Sequence, residues 1–474
     1  MIGIPLRILL LLVSYLIVRI TKSKLFKKLN QLMMAESEKA AAVPVEEEVV
    51  VEKPPSAPLV IREMDSNTEL SQAKTIREET VAQALKEFNR LFLIDLGLLA
   101  VYALIPMIDS FFHLAMIDTE MYSFYVGVVF FWTLMRFIGH RRQFKAYRKG
   151  IFGFLGPVQR IIFFPFQTLW YQALFFFLLF IGLTRSFWSF TIGDALSGFL
   201  FLIPIGLHLF ALRQVRLKGR KKNNIKLLIL RVFFLDKSSE FTFSYLAKYW
   251  KHFGSYFTVA DPSFYRVFWK RRFNNTFPIF IIVVFLVFTQ LTDDQPEGTV
   301  IGMFVFFVVL LLLGSVFYVN RSTRKMSNSF VHSAEQLEGR LDELDKWPVK
   351  NDNTFKEFPV MCYDNTWKIG LSTLVDEASV IMMDLRGFSE KNKGCEYEID
   401  FILDHKALKH ILFVCKPEAR ELVKRTIMER WEKLSEKSPN IEDQSPEATL
   451  FISEEEDAKE LQHIMDLLKK GAIA

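Results

Sequence analysis

The uncharged run "VIGMFVFFVVLLLLGSVFYV", Val300 to Val319, wound as a helix, matches the roughly 30 Å hydrocarbon core of a bilayer. Six further apolar runs recur along the chain, at Ile4–Ile20, Leu91–Leu114, Met121–Ile138, Ile161–Leu183, Ala195–Leu212 and Phe277–Leu291. Phe277–Leu291 reaches span length only when Thr276 and Thr292 are included. With 48 Phe and 15% aromatic residues, the chain carries more apolar aromatic surface than a soluble core needs. Transmembrane helices account for that excess.

The charges sort by side. Threading seven spans places the basic stretches "TKSKLFKK", "HRRQFKAYRKG", "RQVRLKGRKK", "WKRR" and "NRSTRK" on one side. The acidic turns "IDTE" and "TDDQPEG" fall on the other, with Arg185 the only Lys or Arg in the opposite-side turns. The positive-inside bias then predicts a multi-pass protein of a plasma or inner membrane, with the N-terminus outside and everything after Val319 in the cytosol. The first run lacks a small-residue cleavage site and enters a basic stretch, so it reads as a signal anchor. No basic stripe accompanies a nucleic-acid-binding signature, and no nucleic-acid partner is expected. The three cysteines, Cys362, Cys395 and Cys415, lack metal-ligand spacing and suit a reduced compartment; no metal is expected.

The remaining sequence alternates strand and helix patterns. "KLLILRVFF", "SYFTVAD", "EFPVMCYD", "SVIMMDL", "KHILFVC" and "ATLFIS" are short apolar runs, and amphipathic segments lie between most of them. Strands apolar on both faces, alternating with helices, predict a parallel sheet covered on both sides. The resulting organisation is an N-terminal membrane anchor over 1–30 and a disordered acidic linker over 35–75. A four-helix transmembrane region with a preceding amphipathic helix follows over 76–222. One α/β domain is split into 223–265 and 326–474 by a transmembrane hairpin over 270–325.

In a parallel sheet the residues after the strands share one edge, where ligands bind. Asp236, Asp261, Asp364, Asp384, Arg386 and Ser389 occupy such positions. Lys393 opens the next helix. Glu398 lies three residues beyond Cys395, which turns both to one face and puts a carboxylate beside a polar cleft. The plainer alternative is that polar residues after strands are turns and caps and that Glu398 is a solvated helix residue.

Two blocks, Ile225 to Asp261 and Asn365 to Cys415, resemble the Toll/interleukin-receptor (TIR) domain family. The first, "ILRVFFLDKSSEFTFSYLAKYWKHFGSYFTVAD", has an apolar strand, an Asp-containing turn, a helix with spaced Leu and aromatic residues, a Gly, and a strand ending in Asp. The second, "TWKIGLSTLVDEASVIMMDLRGFSEKNKGCEYEI", carries Gly394-Cys395-Glu396-Tyr397-Glu398-Ile399 where the family has Trp-Cys-x-x-Glu-Leu. The resemblance implies a flavodoxin-like, TIR-like three-layer fold. It also implies self-association through that domain and a signalling role in defence or stress. In enzymatic members the Glu of the motif splits nicotinamide from NAD, which maps catalysis to Glu398. NAD would be a substrate, with no permanently bound cofactor. A nucleotide sensor, with Arg386 and Lys393 holding phosphate, has the same pattern.

Two other classes stay open. One is a non-catalytic membrane scaffold that recruits partners. The other is a channel or transporter with a cytosolic regulatory domain, for which Asp95, Asp109, His113 and Arg136, in or near the spans, are the candidate intramembrane groups.

Overall fold

The computed structural model describes residues 3–41, 52–68, 223–231, 249–260, 297–350, 354–363, 365–454 and 458–473, with scattered helical positions between 78 and 218 and at 246–247. Asp95, Asp109, His113, Arg136, Asp236, Asp261 and Asp364 lie outside the described residues, as do the runs 161–183 and 277–291. The chain divides into two compact units. One comprises Met1–Glu46, Val259–Leu337 and Pro359–Gly370; the other comprises the remainder.

The first unit is built on two long helices, α1 (Gly3–Ala41) and α2 (Glu297–Ser327), packed along each other. Leu10, Ser14, Ile17, Thr21, Leu25 and Leu29 are buried on α1, as are Phe307, Leu311, Ser315, Val319, Ser322 and Met326 on α2. Spacings of three and four residues make each a seam of the kind that zips helices side by side. Two buried hydroxyls in the seam bond back to the preceding turn, Thr21 to the Ile17 carbonyl at 2.6 Å and Ser315 to the Leu311 carbonyl at 2.7 Å, which satisfies both donors. The helices run in the same direction. Lys28 donates to the Asn320 side chain at 3.0 Å, and further along both chains Glu36 meets His332 at 2.7 Å. Away from the seam, Leu12, Tyr15 and Leu16 of α1 and Leu313, Val316 and Phe317 of α2 are exposed. Among the described residues one helix segment, 300–327, is long and apolar enough to cross a membrane by length and composition, with mean hydropathy 2.9.

An α/β fold is built on a seven-stranded, all-parallel sheet. Its strands are β1 (Val60–Met64), β2 (Leu227–Arg231), β3 (Tyr256–Ala260), β4 (Glu357–Met361), β5 (Val380–Asp384), β6 (Ile411–Cys415) and β7 (Glu447–Ile452), in the spatial order β1-β7-β6-β5-β2-β3-β4. The central strands β5 and β6 are buried at every position, as their unbroken apolar sequences require. The edges differ. β1 alternates exposed and covered residues and carries Arg62, paired with Glu447 of β7 at 3.2 Å. β4 contains Pro359, which a sheet accepts at an edge because no neighbour needs its missing N–H.

Helices α4 (Trp367–Glu377), α5 (Lys393–His405), α6 (Arg420–Trp431) and α7 (Ala458–Ile473) follow the strands, and α3 (Ala334–Lys346) precedes β4. Leu227, Ile229, Val380, Met382, Leu412 and Val414 share one cluster with Leu461, Ile464, Met465 and Leu468 of α7 and with Trp250. The intervening residues Leu228, Leu230, Ile381, Met383 and Phe413 are equally buried, so the second face is covered too. The β5-to-β6 and β6-to-β7 connections, which join parallel neighbours, run through α5 and α6. Asn440 fastens the end of α5: its amide donates to the Leu403 and Lys406 carbonyls at 2.6 and 2.8 Å and accepts from the Leu408 N–H at 3.0 Å.

Two expectations are corrected. The stretch 35–75, read as a disordered acidic linker, contains the last turns of α1 and the strand β1, whose register runs from Val60 opposite Glu447 to Met64 opposite Phe451. "VIREM" escaped notice because an edge strand may be polar on one face, and the acidic, Pro-containing context masked it. The helix that begins as the expected anchor over 1–30 also continues to Ala41. Its extension is tied down by Glu36, which meets His332 at 2.7 Å, and by the Met33 carbonyl, which accepts from the Tyr363 hydroxyl at 2.6 Å.

Gly254 is required by close approach. A Cβ there would lie 1.7 Å from the Ile225 carbonyl oxygen, at a place where Trp250 Nε1 donates to that same carbonyl at 3.2 Å and Asn224 Oδ1 accepts from the Ser255 N–H at 2.8 Å. Gly254→Ala must push β3 away from the start of β2. We expect it to cost at least about 1–3 kcal/mol, read as a lower unfolding midpoint in denaturant. An unchanged midpoint would show that this turn does not hold the two strands.

Candidate functional site

Numbered along the chain among themselves, the strands β2, β3, β5, β6 and β7 lie in the order 2-1-3-4-5. From β2 the chain goes to one side for β3 and to the other for β5. Such a reversal is where open parallel sheets receive ligands, beyond the carboxyl ends of the two strands that flank it, here β2 and β5. Arg231 and Asp384, the last residues of these strands, are register partners. The sheet therefore brings Asp384 and the turn after it to the place where an open parallel sheet receives ligands.

The turn is closed by its own charges. Arg386 folds back on Asp384, with Nε 2.8 Å from Oδ1 and Nη2 2.6 Å from Oδ2, and the Arg386 N–H donates to Oδ1 at 3.2 Å. Both side chains are about 98–99% covered. Such a bidentate pair is strong only while both members are present. Asp384→Asn or Arg386→Ala would break this buried pair, at a cost of about 3–5 kcal/mol. The measurement is the denaturant midpoint of each variant; two near-wild-type midpoints would mean that the pair is not closed in solution.

Ser389 belongs to the next turn. Its N–H and hydroxyl both donate to Asn392 Oδ1, at 2.8 and 2.7 Å, which bends the chain into α5. Lys393, in the first turn of α5, is exposed and bonded to Glu396 at 2.8 Å. Arg430 of α6 bonds Glu396 at 3.0 Å and Asp400 at 2.9 Å, so α5 presents these carboxylates to solvent and to α6.

Glu398 is on the other side of the helix. It is 3% exposed and shares the buried stripe of α5 with Cys395, Ile399, Ile402 and Leu403. Its Oε2 has no hydrogen-bond partner among the described residues. Burial pushes its carboxyl up to about 8, because removing the ion from water disfavours the charged form. Glu398 is therefore not a solvated helix residue. It is a covered acid in the second turn of α5, in a place where burial favours the uncharged form. Cys395 does face the same way as Glu398. Burial, then the neighbouring Glu398 and Glu396, push its thiol up to about 12. Burial does the same to Cys415 at the end of β6. All three cysteines are buried, so we expect a maleimide to label them only after unfolding. Rapid labelling of the native chain would contradict that packing.

Of the expected site residues, the structure thus gathers Asp384, Arg386, Ser389, Lys393 and Glu398 at one end of β5 and α5. It pairs the first two with each other, turns Lys393 to solvent and encloses Glu398. Among the described residues no group of three or more His, Cys, Asp or Glu assembles as a metal site. One group escaped sequence reasoning. Lys469 of α7 is 3% exposed, with Nζ 3.8 Å from the Phe253 ring centre and 5.2 Å from that of Trp250. Burial lowers its ammonium to about 7. The available signal was its place in "LQHIMDLLKK", directly after the apolar stripe Leu461, Met465 and Leu468. Against this geometry stand the comparisons with known proteins: the chain matches no family model, no curated protein and no solved structure.

Proposed function

We propose that the chain is a multi-pass membrane signalling protein whose cytosolic TIR-like unit binds a nucleotide at the β2/β5 crevice and cleaves NAD once assembly opens the site. The observation that carries this reading is Glu398, an acid enclosed without a full set of partners next to the ligand edge of a parallel sheet. Buried ionisable groups of this kind concentrate at functional sites. The 2-1-3-4-5 strand order agrees with the flavodoxin-like fold that the resemblance implies.

The chemistry needs the carboxylate. As the bond from the ribose carbon to nicotinamide breaks, its electron pair neutralises the pyridinium nitrogen and the ribose carbon becomes oxocarbenium-like. A carboxylate at Glu398 would hold the ribose hydroxyls and stabilise that charge, and water would then add to the carbon and lose a proton. With its carboxyl near 8 and covered, Glu398 is neutral and out of reach in the closed form. Opening would hydrate and ionise it in one event. The closure thus accounts for a resting state in which NAD is spared. The test is nicotinamide release by the full chain in nanodiscs, alone and after artificial clustering of the cytosolic unit. Release on clustering supports the reading; steady NAD with a clustered, folded chain overturns the enzymatic part.

The membrane assignment is supported by α1 and α2. Away from their seam α1 exposes Leu12, Tyr15 and Leu16, and α2 exposes Leu313, Val316 and Phe317, which water disfavours and lipid does not. They also run in the same direction, as the alternation of sides demands of a first and a seventh span. An N-terminus outside and a cytosolic α/β unit follow from the same alternation. A non-catalytic scaffold is the second reading, favoured by the closed Asp384–Arg386 pair. Under it Glu398→Gln would leave signalling unchanged, while surface changes at the TIR-like face would abolish partner recruitment.

A further inference from the structure

The basic stretches at 19–28 and 320–325 lie far apart in sequence, but the pairing of α1 with α2 brings them next to each other, the α2 charges beginning where the α1 charges end. The Lys28 ammonium meets the Asn320 side chain at 3.0 Å, which fixes the alignment. Lys24, Lys27 and Lys28 are exposed on α1, and Arg321, Arg324 and Lys325 are exposed on α2. Neither helix carries a carboxylate over 19–35 or over 298–327. The cluster begins where the exposed apolar faces stop: Leu16 and Ile20 precede it on α1, and Val316 and Phe317 on α2. The Arg321 guanidinium lies 5.8 Å from the centre of the Phe317 ring, so its stem stays against the apolar side and its charge sits at the boundary.

We propose that these two basic segments form a collar that binds the phosphodiester headgroups of anionic phospholipids, in the leaflet where the apolar faces of α1 and α2 end. The inference rests on the membrane reading above and adds lipid selectivity to it. Positive-inside bias alone needs only the charge count on each side. A collar needs the charges of two helices in one continuous band beyond the apolar faces, which the parallel pairing provides. Each basic residue at an anionic surface contributes a factor of roughly five in binding at low salt, and the attraction decays within a Debye length, so it weakens as salt rises.

The test uses the full chain in nanodiscs of phosphatidylcholine containing a minor fraction of fluorescent phosphatidylserine. The expected result is enrichment of the anionic lipid around the chain, lost as salt is raised. It should fall at least fivefold in Lys24→Gln/Lys27→Gln/Lys28→Gln and in Arg321→Gln/Arg324→Gln/Lys325→Gln. It should survive in Lys24→Arg/Lys27→Arg/Lys28→Arg, which keeps the charge and controls for folding. Equal partition of the two lipids around an incorporated chain overturns the collar and leaves the membrane reading standing. Displacement by millimolar inorganic phosphate at fixed ionic strength overturns it in favour of a soluble-phosphate site. Failure of the wild-type chain to enter nanodiscs overturns both. If the Gln variants do not incorporate, salt-independent enrichment by the wild type overturns it.

Discussion

Glu398→Gln is expected to abolish nicotinamide release by the clustered chain, by about a thousandfold or more, and at the same time to stabilise the fold near neutral pH. The two effects have one origin. In the native state burial holds the carboxyl at about 8, against 4.5 for the free group. Between those values the native state binds a proton that the unfolded chain has released. Stability therefore falls as pH rises through this window, with a slope approaching about 1.4 kcal/mol per pH unit. It is highest below 4.5 and reaches its lower plateau above 8. Gln has nearly the same shape and no proton to lose, so the variant escapes that decline. Denaturant midpoints of the two proteins should agree near pH 4.5 and diverge steadily up to pH 8, the variant being the more stable. A difference that stays constant with pH would mean that Glu398 is not enclosed in solution. Loss of activity without a gain in stability would mean that the site is already open.

Lys469→Met should produce the opposite pH dependence. The native ammonium is held at about 7 by burial, against 10.5 in water. Between these values the unfolded chain binds a proton that the native state lacks, so wild-type stability rises with pH across the window, again approaching about 1.4 kcal/mol per unit. It is lowest below 7 and levels off above 10.5. The rings of Phe253 and Trp250 favour the charged form and offset part of the burial cost, by about 0.5–2 kcal/mol. Methionine keeps the length of the side chain without the charge, a substitution cores accept. The variant should exceed the wild type in stability at pH 7 and converge with it by about pH 10. Parallel profiles for the two proteins would place Lys469 in water. Since Glu398 lowers stability up to 8 and Lys469 raises it from 7, the wild-type profile should be shallowest where the two windows overlap, and the double variant should lose both slopes.

The α/β alternation after residue 223 was legible because central strands of a parallel sheet are buried on both faces and read as unbroken apolar runs. "VIMMD" and "ILFVC" could hardly be anything else. β1 was not legible, since "VIREM" is half polar and its partner β7 is nearly four hundred residues away. Glu398 was found through a motif resemblance, but its state was not. One acid in "CEYEIDFIL" is solvent-facing and another is enclosed, and the helical phase relative to the sheet decides which. Asp384 and Arg386 were taken as ligand contacts from their position after a strand; only the folded turn reveals that each is the other's first partner.

The sequence by itself determined which segments are apolar enough to form long apolar helices or a sheet interior, and where along the chain the charges cluster. Both depend on local composition and hydration, which no fold can change. The tertiary structure decided which distant segments meet: α1 beside α2, β1 beside β7, Lys469 over Phe253. It also decided which ionisable groups lose their water. Desolvation depends on everything packed around a side chain, and for Glu398 and Lys469 that environment is assembled from parts of the chain that are remote in sequence.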